Sequence, residues 1–428
     1  MIKKSVLLYR LGRLVIPLVY FVFLFMYLDG ALFSFIFKGS ILSYWRQIIW
    51  IVAFALFLIM RRKISSKFLV RQSFNFGLLF LILFLLCIYT VIFTEVSTAS
   101  TIFGLFIITV GVPFVIFPAV LEYYKISPIS FFKFWTFIGA FMSIGLIIDS
   151  QYNLTLLIRS AEDIEDIYYS GGRYPFLSES VTIFSVSYPF SLICSIYLMS
   201  ILKRPINKGL CLITAILCMI GSAFTGSRQI LFVMIPLFLF AMIYYLFKSR
   251  DNKKFLIPII IVGALINGYI ISSLFTNDAV LNRYDTNVLK EDNRIGTWVK
   301  GFNDLIIDAP LYKLVTGNGV GFVSAKGGEA LKGAFHYEST FYSQLNDCGI
   351  FGIVLVLYPF FQILKYSKRK DAGFLDFLIV IFACSYIVIS LISPNGATQL
   401  TQVTLYSALG LYSCIEYFDM TKSKPLKK

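Results

Sequence analysis

Apolar residues in this chain fall in blocks of roughly 20, each long enough to cross a hydrocarbon layer of about 30 Å as a helix. A backbone in lipid has to satisfy its own hydrogen bonds, so blocks of this length are read as helices. The short alternating segments of a transmembrane barrel are absent, and no stretch reads as a separate soluble domain. With 58% hydrophobic residues and a mean hydropathy of +0.80, the 428 residues predict an all-α, polytopic integral membrane protein, a single transmembrane domain over 1–428. About twelve spans are expected, near 14–35, 41–60, 75–94, 101–121, 131–149, 180–200, 208–223, 229–247, 255–275, 347–365, 374–393 and 400–418. The first follows Lys3, Lys4, Arg10 and Arg13 and continues to about Phe35 without a small-residue cleavage site. It therefore reads as a retained helix rather than a signal peptide.

A formal net charge of +15 would suit nucleic-acid binding, but the placement of the charge argues against that partner. The N-terminus, Arg61-Arg62-Lys63 with Lys67 and Arg71, Lys125 with Lys133, Lys203-Arg204 with Lys208, stretches 248–254 and 365–370, and the C-terminus hold about 26 of the 38 basic residues. Strict alternation of twelve spans puts all of them on one side, which the positive-inside rule makes the cytoplasm, with both termini there. The seven cysteines (Cys87, Cys194, Cys211, Cys218, Cys348, Cys384, Cys414) lie almost all in apolar spans, and none has metal-ligand spacing with a histidine. Neither a disulfide framework nor a metal site is expected.

The opposite side receives two sizeable loops, 150–179 and 276–346. The first carries Glu162-Asp163-Ile164-Glu165-Asp166 with Tyr168, Tyr169 and Tyr174. Two readings stay open for these residues and Tyr337: a solvated loop with interfacial aromatics, or rings on which sugars stack. Asp149, Asp347, Asp376 and Glu416 fall at or near expected span ends, leaving the spans almost free of ionisable groups. Intramembrane charge usually marks an ion pathway, and no repeat relates the two halves as in many transporters. Both points weigh against a proton-coupled transporter.

Four polar features gather on the side of the large loops. Thr225-Gly226-Ser227-Arg228-Gln229 turns the chain between the seventh and eighth spans. Arg228 there is either an interfacial anchor or, with the helix N-terminus, part of an anion site. Asp292-Asn293-Arg294-Ile295-Gly296-Thr297-Trp298 opens a segment whose apolar residues (Ile295, Trp298, Phe302, Leu305) recur at helical spacing. It predicts an amphipathic helix near 293–306 on the membrane surface, with Arg294 in its first turn as a phosphate-type contact or a snorkelling cation. In Thr316-Gly317-Asn318-Gly319-Val320-Gly321-Phe322, glycines allow tight turns and close approach to a ligand, and no βαβ unit surrounds them to make a dinucleotide site. Finally His336, the only histidine, sits in Phe335-His336-Tyr337-Glu338-Ser339-Thr340, ahead of Tyr342, Gln344 and Asn346-Asp347-Cys348-Gly349-Ile350-Phe351-Gly352. Imidazole can serve as a general base near neutral pH, and Glu338 can orient it in an extended segment.

In this order and topology the features resemble the O-antigen polymerase and O-antigen ligase superfamily, the Wzy-like and WaaL-like membrane glycosyltransferases of bacterial surface polysaccharides. The likeness covers the span pattern over most of the chain. It is most specific at Gly226–Arg228, at Arg294–Trp298, and from Gly317 through His336 to Gly352. The resemblance implies a GT-C-like architecture and a cytoplasmic-membrane enzyme whose catalytic loop is external. It implies transfer of glycan from an undecaprenyl-pyrophosphate carrier to an acceptor hydroxyl, with neither metal nor other cofactor. Under it, Arg228 and Arg294 clamp the pyrophosphate leaving group and His336 activates the acceptor. Ser227, Gly317, Gly319, Gly321, Glu338 and Tyr342 are the candidate substrate contacts. Many relatives have His-Asn where this chain has His336-Tyr337, a departure at the adjacent side chain. Besides the lipid-linked oligosaccharide, implied partners are membrane lipid and a chain-length regulator and flippase of the same pathway. Polymerisation of repeat units is the first expectation. Ligase-type transfer to another acceptor and flipping of lipid-linked oligosaccharide are the alternatives.

Overall fold

The computed structural model describes residues 45–64, 66–152, 184–225, 227–248, 293–323, 339–393 and 399–415, with the single positions 20, 174, 176, 261, 265, 268, 272, 417 and 418. Positions 45, 46, 228, 229, 231, 248, 293–295, 399 and 400 are described by their backbone alone. Every regular element among these residues is helical. In chain order they are α1 (Trp45–Lys63), α2 (Lys67–Phe93), α3 (Thr98–Thr109), α4 (Phe117–Tyr123), α5 (Ile129–Tyr152), α6 (Phe184–Ile201) and α7 (Pro205–Phe224). Then follow α8 (Arg228–Lys248), α9 (Asn293–Phe302), α10 (Leu311–Thr316), α11 (Thr340–Cys348), α12 (Ile350–Ser367), α13 (Phe374–Ile392) and α14 (Gln399–Gly410).

Seven described helical runs are long and apolar enough to cross a membrane: 67–93, 98–123, 129–152, 184–201, 205–224, 350–367 and 374–392. The protein is thus an α-helical membrane protein. Its lipid-facing character shows in α2, which exposes Phe74, Phe84, Leu85, Ile92 and Phe93, a surface that only a hydrocarbon surround makes favourable. The expected first and ninth spans lie outside the described residues, apart from Tyr20 and the helical positions Ile261, Leu265, Gly268 and Ser272.

The centre of the bundle is α6, buried on all sides and packed against α5, α7, α8 and α13. Apolar groups gain little from leaving lipid, so span association depends on close packing and small residues. That is what holds α5, α6 and α7. A Cβ added at Gly139 would lie 2.6 Å from Ser191 Cβ and 2.7 Å from Cys218 Sγ, and one at Gly221 would lie 2.6 Å from Ser143 Oγ. Aromatic rings fill the remaining space: Trp135 meets Phe190 edge-on at 5.0 Å, and Phe190 meets Phe382 of α13 at 4.9 Å.

Three expected spans depart from one continuous α-helix; near 400–418, α14 ends at Gly410 and a 3-10 turn, Leu411–Cys414, follows. Near 101–121 the α-helix stops at Thr109 and gives way to a tighter 3-10 turn, Val112–Ile116, before α4. Pro113 and Pro118 supply no N–H to the ladder, which accounts for the interruption. The expected 347–365 span begins at Ile350, and a separate short helix, α11, precedes it across Gly349.

At one end of the bundle Arg369 donates from Nε and Nη2 to the two carboxylate oxygens of buried Asp376, at 3.0 and 2.8 Å. Asp376 also accepts the Gly373 N–H at 2.7 Å, which caps the first turn of α13. Nearby, Gln72 donates to Gln362 and accepts from Tyr358, joining α2 to α12 by neutral hydrogen bonds.

Candidate functional site

The opposite end of the bundle collects the polar machinery, and α13 sets its position. Tyr244 of α8 stacks on Phe377 at 4.1 Å and 12° between planes, and on Phe374 at 5.5 Å. The late part of α8 therefore meets the start of α13, and packed helices that meet in this order run antiparallel. About sixteen residues separate Tyr244 from Arg228, and about sixteen separate Phe377 from Ser393, roughly 24 Å in each case at 1.5 Å per residue. The start of α8 and the end of α13 consequently share a level. Ser227 lies half-buried there, its N–H donating to Thr225 Oγ1 at 3.2 Å and its carbonyl accepting from Ile230.

The carbonyls left over at the end of α13 are taken up by the start of α11, as helix ends require. Thr340 donates from N–H and Oγ1 to the Ser393 carbonyl, at 2.9 and 2.7 Å, and Ser339 Oγ donates to the Ser390 carbonyl. Helix α9, which carries Arg294 in its first turn, packs against α11. Tyr342 is half-buried on α11, in an apolar cluster with Leu305, Leu314, Leu345 and Ile353.

The glycine-rich stretch is a turn whose three glycines are pressed onto neighbouring backbone and side chains. Gly317, Gly319 and Gly321 are buried and adopt φ of +73°, +121° and +87°. A Cβ at Gly317 would lie 2.5 Å from the Asp347 carbonyl oxygen, one at Gly319 2.8 Å from Thr90 Cγ2, and one at Gly321 would overlap the Ser100 carbonyl. Backbone donors complete the docking: Asn318 to the Asn346 carbonyl at 2.7 Å, Val320 to Thr90 Oγ1 at 2.9 Å, and Val323 to Asp347 Oδ1 at 2.7 Å. The close approach these glycines permit is to the chain itself at all three positions, and Gly317 also lines a neighbouring cavity. Beside them Cys348 is fully buried, and that burial, with the Asp347 carboxylate next to it, pushes its thiol pKa up.

Beside the turn is a cavity of about 380 Å³. Its polar lining is Asp304, Asp308, Lys313, Asn318 and Asn346, and its apolar lining includes Leu305, Pro310, Phe322 and Leu345. Asp304 belongs to a five-residue π turn, Asn303–Ile307, that continues α9. Such turns recur at functional sites. The same stretch turns a second, apolar surface outward: Phe302, Ile307, Leu311 and Tyr312 are exposed and do not line the cavity.

The structure therefore brings together α9, α11 and the glycine turn, with the start of α11 docked on the end of α13. His336, Glu338 and Tyr337, most of 150–179, and Gly226 lie outside the described residues, and of Arg228 and Arg294 the backbone alone is described. Sequence reasoning did not single out Asp304, Asp308 or Lys313. Their only signal was a four-residue spacing of carboxylates just beyond an amphipathic pattern, which also fits a solvated face. Among the described residues no group of three His, Cys, Asp or Glu side chains is placed to hold a metal ion. No protein-family model matches the chain, and no curated protein matches it.

Proposed function

We propose that this chain is a polymerase of lipid-linked oligosaccharide repeat units, with a twelve-span, GT-C-like architecture, both termini cytoplasmic, in the bacterial cytoplasmic membrane. It transfers glycan from an undecaprenyl-pyrophosphate carrier to a sugar hydroxyl of an acceptor repeat unit at the outer face. The observation that supports this reading is the docking of the α11 start on the Ser393 end of α13, with α9 packed on α11. The α11 start, four residues after His336 in sequence, is held by Ser393, and the helix lengths put the α8 start, with Arg228, near the same level. Helix α9, with Arg294, packs on that same α11.

In the proposed reaction His336 accepts the proton of the acceptor hydroxyl as its oxygen bonds to the anomeric carbon. The bond from that carbon to the pyrophosphate oxygen breaks, and its electron pair leaves with the pyrophosphate. The forked guanidiniums of Arg228 and Arg294 hold the charge that develops there. The exposed apolar side of 302–312 beside a polar cavity suits a substrate that is a glycan at one end and a lipid at the other. A chain-length regulator and a flippase are the expected partners.

Purified protein incubated with lipid-linked repeat units should produce a ladder of longer glycans. Transfer to an unrelated acceptor without a ladder would indicate a ligase. Translocation in liposomes with no glycosidic product would overturn the enzyme reading.

A further inference from the structure

We propose that the cavity between the π turn and the end of α11 is a saccharide subsite that binds the neutral sugar portion of the substrate, apart from the pyrophosphate chemistry. It rests on the polymerase reading only for the identity of the saccharide.

Hydroxyl recognition needs acceptors and donors fixed around an apolar floor, and the lining supplies both. Asp304 and Asp308 are exposed carboxylates without a hydrogen bond or ion pair from their side chains among the described residues. Each can accept from neighbouring hydroxyls. Asn346 is 3% exposed and lines the cavity; its Oδ1 accepts from Asn318 Nδ2, while its own NH2 has no partner among the described residues. That NH2 keeps accessible surface on the cavity side, so it is a donor that a sugar hydroxyl oxygen can engage. Phe322 and Leu345 offer apolar area to the CH face of a sugar ring. The Asn318–Asn346 pair is already locked by the glycine turn, so binding orders little on that side.

Charge and size select the class of ligand. Among the described lining residues two carboxylates stand against one cation, Lys313, a balance that disfavours phosphate or pyrophosphate. About 380 Å³ lies within the roughly 300–1,000 Å³ of small-molecule sites and far exceeds a bare cation. The apolar side of the same segment faces away from the cavity, so a membrane-held substrate can present its sugars to the polar side.

The probe is the free repeat-unit oligosaccharide, released by mild acid from lipid-linked material of cells in which this gene is deleted. It is titrated by saturation-transfer NMR against the full-length protein in nanodiscs. Wild-type protein should bind it, and the isosteric D304N/D308N variant should bind at least tenfold more weakly, with an unchanged thermal midpoint. In the ladder assay the same variant should raise KM by a similar factor and leave kcat within twofold. Equal affinities and equal KM, or a fall in kcat at constant KM, would overturn the subsite. So would saccharide binding that appears only with an added divalent cation, which would make the carboxylates a cation site. Binding by wild-type protein that forms no ladder would sink the polymerase reading and leave the subsite standing. A normal ladder with no binding of the free oligosaccharide would do the reverse.

Discussion

The aromatic core shared by α5, α6 and α13 and the glycine turn between α10 and α11 are both buried, yet opposite forces hold them. In the core, Trp135, Phe190 and Phe382 meet ring against ring, through many weak contacts with no fixed direction. In the turn, single backbone donors reach single acceptors, and glycines lie where any Cβ would strike carbonyl or side-chain atoms. The core can redistribute a change over many neighbours. The turn cannot, because a hydrogen bond or a carbonyl overlap has one geometry. The difference teaches that positional precision in this protein is concentrated beside the proposed site, where reacting groups have to be held.

The sharpest way to test that division is through activity. His336→Ala is expected to lower chain growth by roughly 10²–10⁴-fold with normal membrane insertion. Arg228→Lys and Arg294→Lys should each lose roughly 10²-fold or more, because a point charge lacks the guanidinium fork. A near-normal ladder from the His336 variant would remove that residue from the chemistry.

Next in size is Gly321→Ala. The positive φ alone should cost about 1–2 kcal/mol, and the overlap with Ser100 adds to it. The thermal midpoint should fall. In a variant retaining only Cys348, maleimide labelling, slow in the parent because the thiol is buried and its pKa raised, should accelerate. Unchanged labelling would mean the turn is no more brittle than the core.

Asp347 gives a smaller, paired measurement. Asp347→Ala leaves the Val323 N–H without its acceptor and should cost about 1–3 kcal/mol. Asp347→Asn keeps an oxygen there and should cost less than half as much. Equal losses would assign the effect to charge rather than to the directed bond.

Phe190→Leu probes the other side of the comparison. Rings at 5.0 and 4.9 Å, one edge-on and one tilted, lose ring contacts worth about 0.5–1.5 kcal/mol, and the ladder should be unaffected. A loss of activity out of proportion to stability would couple the core to the site.

Much of the bundle was legible because lipid imposes length and polarity on each span independently. The stretches around 131–149, 208–223 and 374–393 appear as membrane-length helices within a few residues, and the one expected at 75–94 begins eight residues earlier, at Lys67. The breaks at Pro113 and Gly349 were harder to read, since hydropathy is blind to backbone angles. Gly317, Gly319 and Gly321 stood out as a motif, yet the sequence could not say whether ligand or protein approaches them. The cavity carboxylates were invisible as a site because surface and cleft carboxylates read alike.

The sequence by itself determined that this chain is an α-helical membrane protein, because the free-energy cost of an unpaired backbone in hydrocarbon acts locally, block by block. Tertiary structure alone decided that the start of α11 docks on the end of α13, near the level of the start of α8, and that Asp304, Asp308 and Asn346 line one cavity. Those relations depend on antiparallel packing and on hydrogen bonds between distant residues, such as Thr340 with Ser393 and Asp347 with Val323. No local pattern encodes them.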